Sequence, residues 1–354
     1  MNLTVKRWKV SPSLDAFFDF AYEQGWTDGL PVVPPTEDRV RQMLQGVKRD
    51  PGDLVAVLAP RNGKATVGKI AINAVMAGCK PDYMPILLTA VEALARPEVN
   101  LLGIQTTTNA VAPLTIVHGP ITQQVGMNCG TNVLGSGNRA NATIGRAIRL
   151  IMINVGGGIP GVGDKATLGQ PGKYVFCIAE HWEENPWTSL HVDKGFDASG
   201  SAVTIFPASG TENLATGGIT DPKSLLLHIA NTMTRWGSNL IKGAPAAVLI
   251  IFPLGHARLS FAAAGWTKQD IREFLFEHAR IDPQTVPTDI LEARDRHGGN
   301  PGYIDGKICP VRSTADINIV VAGGHEPHHI QVLPGASHWG TVTQLIPEAT
   351  RGQP

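Results

Sequence analysis

The chain has 354 residues, with 30 Lys and Arg against 30 Asp and Glu, so its formal net charge is zero. That balance, with no extended Lys/Arg run, lacks the positive footprint nucleic-acid binding requires, and no stretch approaches the ~18 to 20 apolar residues of a membrane span. Only 17% of residues are charged while Gly (39) and Pro (26) are abundant, which predicts a turn-rich cytoplasmic chain whose copies cover one another as a homo-oligomer.

The first residues, "MNLTVKRWKVSPSLDAFF", carry basic groups without an apolar core, so no secretory signal is expected there. From Trp26 the chain reads "WTDGLPVVPPTEDRVRQML", an Asp-Gly turn, an extended Leu30–Val33 and a Pro-Pro approach to a helix. This rigid hook either presents a ring and a carboxylate at a pocket rim or simply pins the N-terminal region.

At Leu54 begins the first of five similar runs, "LVAVLAPRNG"; the others are "LTIVHGPITQ" from Leu114, "VTIFPASGTE" from Val203, "VLIIFPLGHA" from Val248 and "INIVVAGGHE" from Ile317. Short apolar runs bounded by Pro, Gly or Ser are the mark of strands buried on both faces. Helical patterns follow three of them: "ATVGKIAINAVMAG", "DPKSLLLHIANTMTRW" and "TKQDIREFLFEHAR". The pattern predicts an α/β fold, with mixed, largely parallel buried sheets and flanking helices. Loose similarity among the units suggests internal duplication, with an N-terminal α/β unit over 1–170 and a C-terminal one over 171–354.

The first helical pattern ends near Gly78, and Pro81 with Asp82 opens the next helix, leaving Cys79 near a helix N-terminus beside Lys80 and within the expected reach of Lys69. That setting lowers a thiol pKa and makes Cys79 a candidate nucleophile; the alternative is a small apolar residue buried between helices.

A Gly-rich loop follows the second strand, "NCGTNVLGSGNRANAT", and leads into a helix with Ile144, Ala147, Ile148, Ile151 and Met152 on one face. Free N–H groups at such a helix start suit a carboxylate or phosphate, and Arg139 adds a bidentate clamp. The loop lacks the Gly-Lys-Ser/Thr ending of a P-loop and contains no GxGxxG. It reads as an anion cradle built from Asn138, Arg139, Asn141 and Thr143, with Cys129 lining it as the second candidate nucleophile, or else as a structural turn. The second Gly-rich tract, "NVGGGIPGVGDKATLGQPGK", reads as a lid or interface loop.

Cys177 has the pattern of strand core and Cys309 of a loop or edge; four widely spaced cysteines without CxxC fit a reduced compartment. Ligands of open α/β sheets bind beyond the carboxyl ends of the strands. There the sequence puts Arg61, His118, Ser209, His256 and the histidines of "GGHEPHHIQVLPGASHWG": His325, His328, His329 and His338. His256 and His328 are candidate general bases, because histidine titrates near neutrality without tuning. A divalent metal at His325, His328 and His329 with Glu326 is the alternative use of that cluster.

The phrases "GWTDGLPVVPPTEDRV", "TVGKIAINAVMAGCKPDYMP", "GSGNRANATIGRAIRL" and "GDKATLGQPGKYVFC" resemble a poorly characterised bacterial family, some of whose members are associated with thiol- or selenol-bearing domains named for a UGSC motif. The resemblance covers most of the chain and implies a bacterial enzyme of small-molecule metabolism. No UGSC-like segment is present here. The expected activity is a cofactor-independent hydrolase or lyase for a small polar or anionic organic molecule. The Gly-rich loop, Arg61, Arg139 and His118 would hold the anion, and Cys79 with Lys69, His256 or His328 would carry the chemistry. Two alternatives stand beside it: a thiol-based oxidoreductase with a separate redox partner, and a non-enzymatic subunit of a complex.

Overall fold

The computed structural model describes residues 6–11, 13–241, 246–298, 302–336 and 340–348, so His338 lies outside the described residues. The N-terminal half holds helices α1 (Leu14–Glu23) and α2 (Glu37–Leu44), the hairpin of β1 (Leu54–Leu58) and β2 (Gly63–Thr66), then α3 (Val67–Ala77), α4 (Met84–Leu94) and α5 (Leu101–Thr106). Next come β3 (Ala112–His118), α6 (Ile121–Gln124), α7 (Arg139–Asn154), β4 (Cys177–Ala179), α8 (Leu190–Asp193), β5 (Ala202–Ala208), β6 (Glu212–Ala215) and α9 (Pro222–Met233). Then follow β7 (Val248–Phe252), a π-helical turn over His256–Phe261, α10 (Lys268–His278), α11 (Thr288–Gly298) and the short pair β8 (Tyr303–Ile304) and β9 (Lys307–Ile308). The chain closes with β10 (Ile317–Val321), β11 (His329–Pro334) and β12 (Val342–Leu345).

Helix starts follow local chemistry. The side chains of Thr36, Thr66, Asn138, Asp221 and Thr267 each accept a hydrogen bond from a backbone N–H of the first turn. Such a bond satisfies a donor that the helix itself leaves unpaired.

Four of the five apolar runs become β3, β5, β7 and β10, all buried along their length. The run at Leu54 differs. It pairs only with β2, and Leu54 and Val57 remain exposed. Two four-stranded sheets result, with orders β12-β5-β3-β4 and β10-β7-β11-β6. Each contains one parallel pair, β3 with β4 and β7 with β10, and two antiparallel pairs. The sheets are therefore mixed, as the sequence pattern predicts, but antiparallel pairs outnumber parallel ones in each, where it predicts largely parallel sheets. The reason is the route of the chain, because β5 and β11 do not return through a crossover helix of the kind parallel neighbours need.

Alternation along the strands sets the layers. Ala112, Leu114, Ile116, Ile178 and Phe206 of one sheet share an apolar cluster with Leu249, Ile251, Val320 and Leu333 of the other. The opposite faces bury Val117, Val203 and Ile205 against Ile70, Leu87 and Ile148 of α3, α4 and α7. On the far side Ile250, Phe252 and Ile319 pack on Leu226, Ile229 and Leu275 of α9 and α10. Two sheets thus lie face to face between two helical layers, and each buried large apolar side chain contributes roughly 1.5–3 kcal/mol.

The sheets also exchange strands. After Pro207 and Ala208 the chain leaves β5 to place β6 in the second sheet, and after Pro334 it leaves β11 to place β12 in the first. At the crossing the Ser209 amide donates to the Pro334 carbonyl (2.9 Å) and the Ala336 amide to the Pro207 carbonyl (3.2 Å). A Cβ at Gly335 would sit 2.3 Å from the Ala247 carbonyl oxygen, whereas one at Gly210 would meet nothing within 4 Å. Gly335→Ala is therefore expected to destabilise the protein by about 1–3 kcal/mol, read as a lower urea midpoint with unchanged slope. Gly210→Ala, in the matching connection, should stay within about 0.5 kcal/mol of wild type.

Candidate active site

The Gly-rich loop is held by the first turn of α7. Asn138 caps the helix by accepting from the Asn141 amide (3.0 Å), and its own amide group donates to the Gly126 carbonyl (2.9 Å). Asn141 Oδ1 accepts from the Asn128 amide (3.0 Å) while its Nδ2 donates to the Asn128 carbonyl (2.8 Å). Asn128 in turn accepts from the Gly130 amide (2.9 Å). These bonds clamp the backbone on both sides of Asn128 and so fix Cys129 beside it. The amides expected to hold an anion are used to hold the loop.

Arg139 likewise has another partner. Its Nε and Nη2 both donate to the Gly78 carbonyl (3.1 and 2.9 Å), closing the C-terminal end of α3. Thr143 Oγ1 donates to the Arg139 carbonyl (2.8 Å), and Cys79 Sγ donates to the Thr143 carbonyl (3.3 Å). Cys79, Arg139 and Thr143 are thus neighbours, as expected, but the expected activation of Cys79 is reversed. Burial pushes its thiol up to about 12, outweighing the Thr143 contact and the Arg139 charge. Lys69 does not help, since it sits in the first turn of α3, about 15 Å along the axis from Cys79. Its ammonium donates to the Lys64 carbonyl (2.9 Å).

A different cysteine meets a base. Of the four thiols, Cys129 alone is not buried. Its Sγ lies 3.4 Å from Nδ1 of His181, whose Nε2 is 3.1 Å from the Gly323 carbonyl. A carbonyl can only accept, so Nε2 carries the proton and Nδ1 presents its lone pair to the thiol. The backbone knits the same place together. The His181 amide donates to the Val321 carbonyl (2.9 Å) and the Gly323 amide to the Cys129 carbonyl (2.8 Å). The ends of β4 and β10 and the Gly-rich loop therefore converge on one pair of side chains.

Charges ring this pair. Glu184 lies 3.9 Å from His181 Nδ1 and is ion-paired with Arg258 (3.3 Å), which the π-helical turn after β7 supplies. Burial lowers the His181 pKa, opposed by the Gly323 carbonyl and Glu184, while His325 and Arg258 lower it further. Burial raises the Cys129 pKa, and Glu184 adds to the rise. Both shifts favour the neutral forms, so the resting pair is a thiol and an imidazole rather than an ion pair.

The remaining candidates lie elsewhere. His118 is fully buried between Glu180 (Nδ1–Oε2, 2.6 Å) and Thr204 (Nε2–Oγ1, 2.7 Å), with the His191 ring 5.4 Å away. Glu180 also accepts from the Leu190 amide (2.9 Å). This network ties the ends of β3 and β4 to α8 and presents no free edge of the His118 ring. His256 is also fully buried, between Thr216 and Ser260 at 2.9 Å each. Arg61 is bonded through its amide to the Gly156 carbonyl (2.9 Å), beyond the far end of α7. The helix between it and Arg139 is about 24 Å long. His325, His328 and His329 are exposed, and among the described residues no three His, Cys, Asp or Glu side chains group as a metal site.

His181, Glu184 and Arg258 were not legible as site residues. The signal available was the one used for the other strands: "CIAEH" puts Glu and His directly after a buried run. The Cys177 run reads as strand core, but no Pro, Gly or Ser breaks it before Glu180 and His181, so its polar end lacks the mark of the other five. Matched against models of known families and against curated proteins, the chain finds no counterpart.

Two outcomes follow. A thiol reagent should modify Cys129 first, at a rate still climbing with pH above 9 because the thiol is raised, and the fast phase should vanish in Cys129→Ser. His256 is held down to about 4 by burial, then by His328 and His329. Its unfolded form binds a proton between pH 6.5 and about 4 that the folded form refuses. Stability is therefore complete above pH 6.5 and falls as pH drops through that window, by on the order of 3 kcal/mol. Denaturation midpoints at pH 7 and 4.5 measure this loss, and His256→Gln should shrink it.

Proposed function

We propose that the protein is a cytoplasmic enzyme of small-molecule metabolism in which Cys129 is the nucleophile and His181 the general base. The reaction is hydrolysis of a small polar or anionic acyl compound. One observation carries the reading: the 3.4 Å contact of Cys129 Sγ with His181 Nδ1, with Nε2 oriented by the Gly323 carbonyl. Nucleophile, base and a third group that orients the base are the parts covalent catalysis uses.

In the first step the thiol proton passes to Nδ1 as sulfur bonds to the acyl carbon, and the imidazolium then protonates the leaving group. A thioester and the protonated leaving group result. Water, deprotonated by the same imidazole, attacks the thioester; the carboxylic acid leaves and the proton returns to sulfur. No cofactor is needed for this sequence. Arg258, Glu184 and His325 would receive the polar parts of the substrate. This reading replaces Cys79 with Cys129 and His256 or His328 with His181.

Two structural proposals accompany it. The sheets share strand order and direction, and the Glu180 amide bonds to the Val117 carbonyl as the Ala322 amide does to Phe252. That correspondence supports duplication of an α/β unit with exchange of its last strand. The second is self-association, for which the exposed Leu14, Tyr22 and Leu168 are candidate contacts.

The test is incubation with a panel of small carboxylate-bearing esters and amides, followed by quenching and intact-mass measurement. An acyl adduct on Cys129 is expected, with turnover lost in Cys129→Ala and reduced about 10²–10⁴-fold in His181→Ala. Turnover unaffected by Cys129→Ala would overturn the reading. Turnover without an adduct, lost with His181, would favour elimination. A reversible mixed disulfide at Cys129 and no acyl chemistry would favour the redox alternative, and an inert Cys129 the binding-subunit alternative.

A further inference from the structure

Arg149, midway along α7, is 8% exposed. A guanidinium carries five N–H donors and a permanent charge, yet among the described residues no hydrogen bond joins that of Arg149 to the protein, nor does any carboxylate oxygen lie within ion-pair distance. The two acids whose charges reach it are committed elsewhere. Asp164 binds Lys173 Nζ with both oxygens (2.8 and 2.6 Å) and also accepts from the Ala166 amide (3.0 Å). Asp28 binds Arg146 with both oxygens (2.9 and 2.8 Å). Three cations, Arg146, Arg149 and Lys173, therefore face two carboxylates, and the group keeps one uncompensated positive charge.

A largely enclosed charge that no protein group pairs is unfavourable unless solvent or a ligand satisfies it, and the Arg149 nitrogens are not among the fully buried atoms without a partner, so they remain reachable. We propose that Arg149 is the anchor of a binding site for one small monoanion, a carboxylate, roofed by the second Gly-rich tract. A single negative charge neutralises the cluster, and a planar carboxylate matches the fork of the guanidinium. A phosphate dianion would leave an excess negative charge in the same enclosure. The tract brings Asp164 and Lys173 to Arg149 and is tightly folded there: a Cβ at Gly163 would meet the carbonyl oxygen of Gly157 in the same tract at 2.5 Å, and one at Gly158 the Gln105 side chain of α5 at 1.9 Å. Arg149 lies two turns beyond Asn141, about 12 Å along the helix, so this site is separate from the Cys129–His181 pair. The proposal does not depend on the acyl chemistry assigned there.

The experiment is a titration of the full chain, in a buffer free of small carboxylates and phosphate at constant ionic strength, with sodium acetate, sodium phosphate or sodium chloride. Thermal midpoint and heat of binding are read. Acetate is expected to raise the midpoint saturably with one site per chain, phosphate to do so more weakly, and chloride to produce no saturating response. Arg149→Met should lose the acetate response yet melt no lower than wild type without acetate, because the unpaired charge is gone. Lys173→Met should keep a weakened response and serves if Arg149→Met does not fold. Equal responses to acetate and chloride, or no saturable response of the wild type, would overturn the proposal, as would an undiminished response in Arg149→Met.

Discussion

The apolar contact between the two sheets is the constraint from which the other features follow. Each inner face must present Ala, Leu, Ile and Phe to the other, as Leu114, Ile116 and Phe206 do to Leu249, Ile251 and Leu333. The outer faces must be covered by helices, because they are as apolar as the inner ones. A chain folded this way changes direction at the sheet ends. At one end β5 and β11 cross and exchange partners, which calls for Gly335 where the Ala247 carbonyl leaves no room for a side chain. At the ends of β4 and β10 the polar residues gather.

Those polar residues divide by the direction in which the strand aims them. Beyond β4, Glu180 points with Ile178 into the space between the sheets and is sealed by His118, Asn185 and the Leu190 amide. His181, one residue on, takes the opposite direction and meets Cys129. One neighbour in the chain is thus structural and the other is available for chemistry, a consequence of the two-residue period of a strand. The same contrast separates the cysteines. Cys79 sits inside the helical layer, where burial alone raises its thiol, while Cys129 sits on a clamped loop at the sheet end.

Arg139 and Arg149 make a parallel contrast within one helix. The first, at the helix start, directs its Nε and Nη2 to the Gly78 carbonyl. The second, ten residues later, is more deeply enclosed and among the described residues has no hydrogen-bonded partner. Sequence reading favoured the first because loop glycines and a helix start surround it. Enclosure favours the second, and enclosure is not a local property.

What the amino-acid order determined by itself was short-range. Four apolar runs became buried strands and Asn138 capped a helix, whereas the polar residues after the strands do not share one end, since β5 runs antiparallel to β3 and carries Ser209 to the opposite end from His118. The strands and the cap follow from steric and hydrogen-bonding preferences acting over a few residues. Strand direction, the pairing of Cys129 with His181 across 52 positions, and the separation of Arg61 from Arg139 were decided by tertiary structure. Each depends on how two sheets stack and exchange strands. Nothing within a window of ten residues records which distant backbone will close over a side chain, or which carbonyl will orient an imidazole.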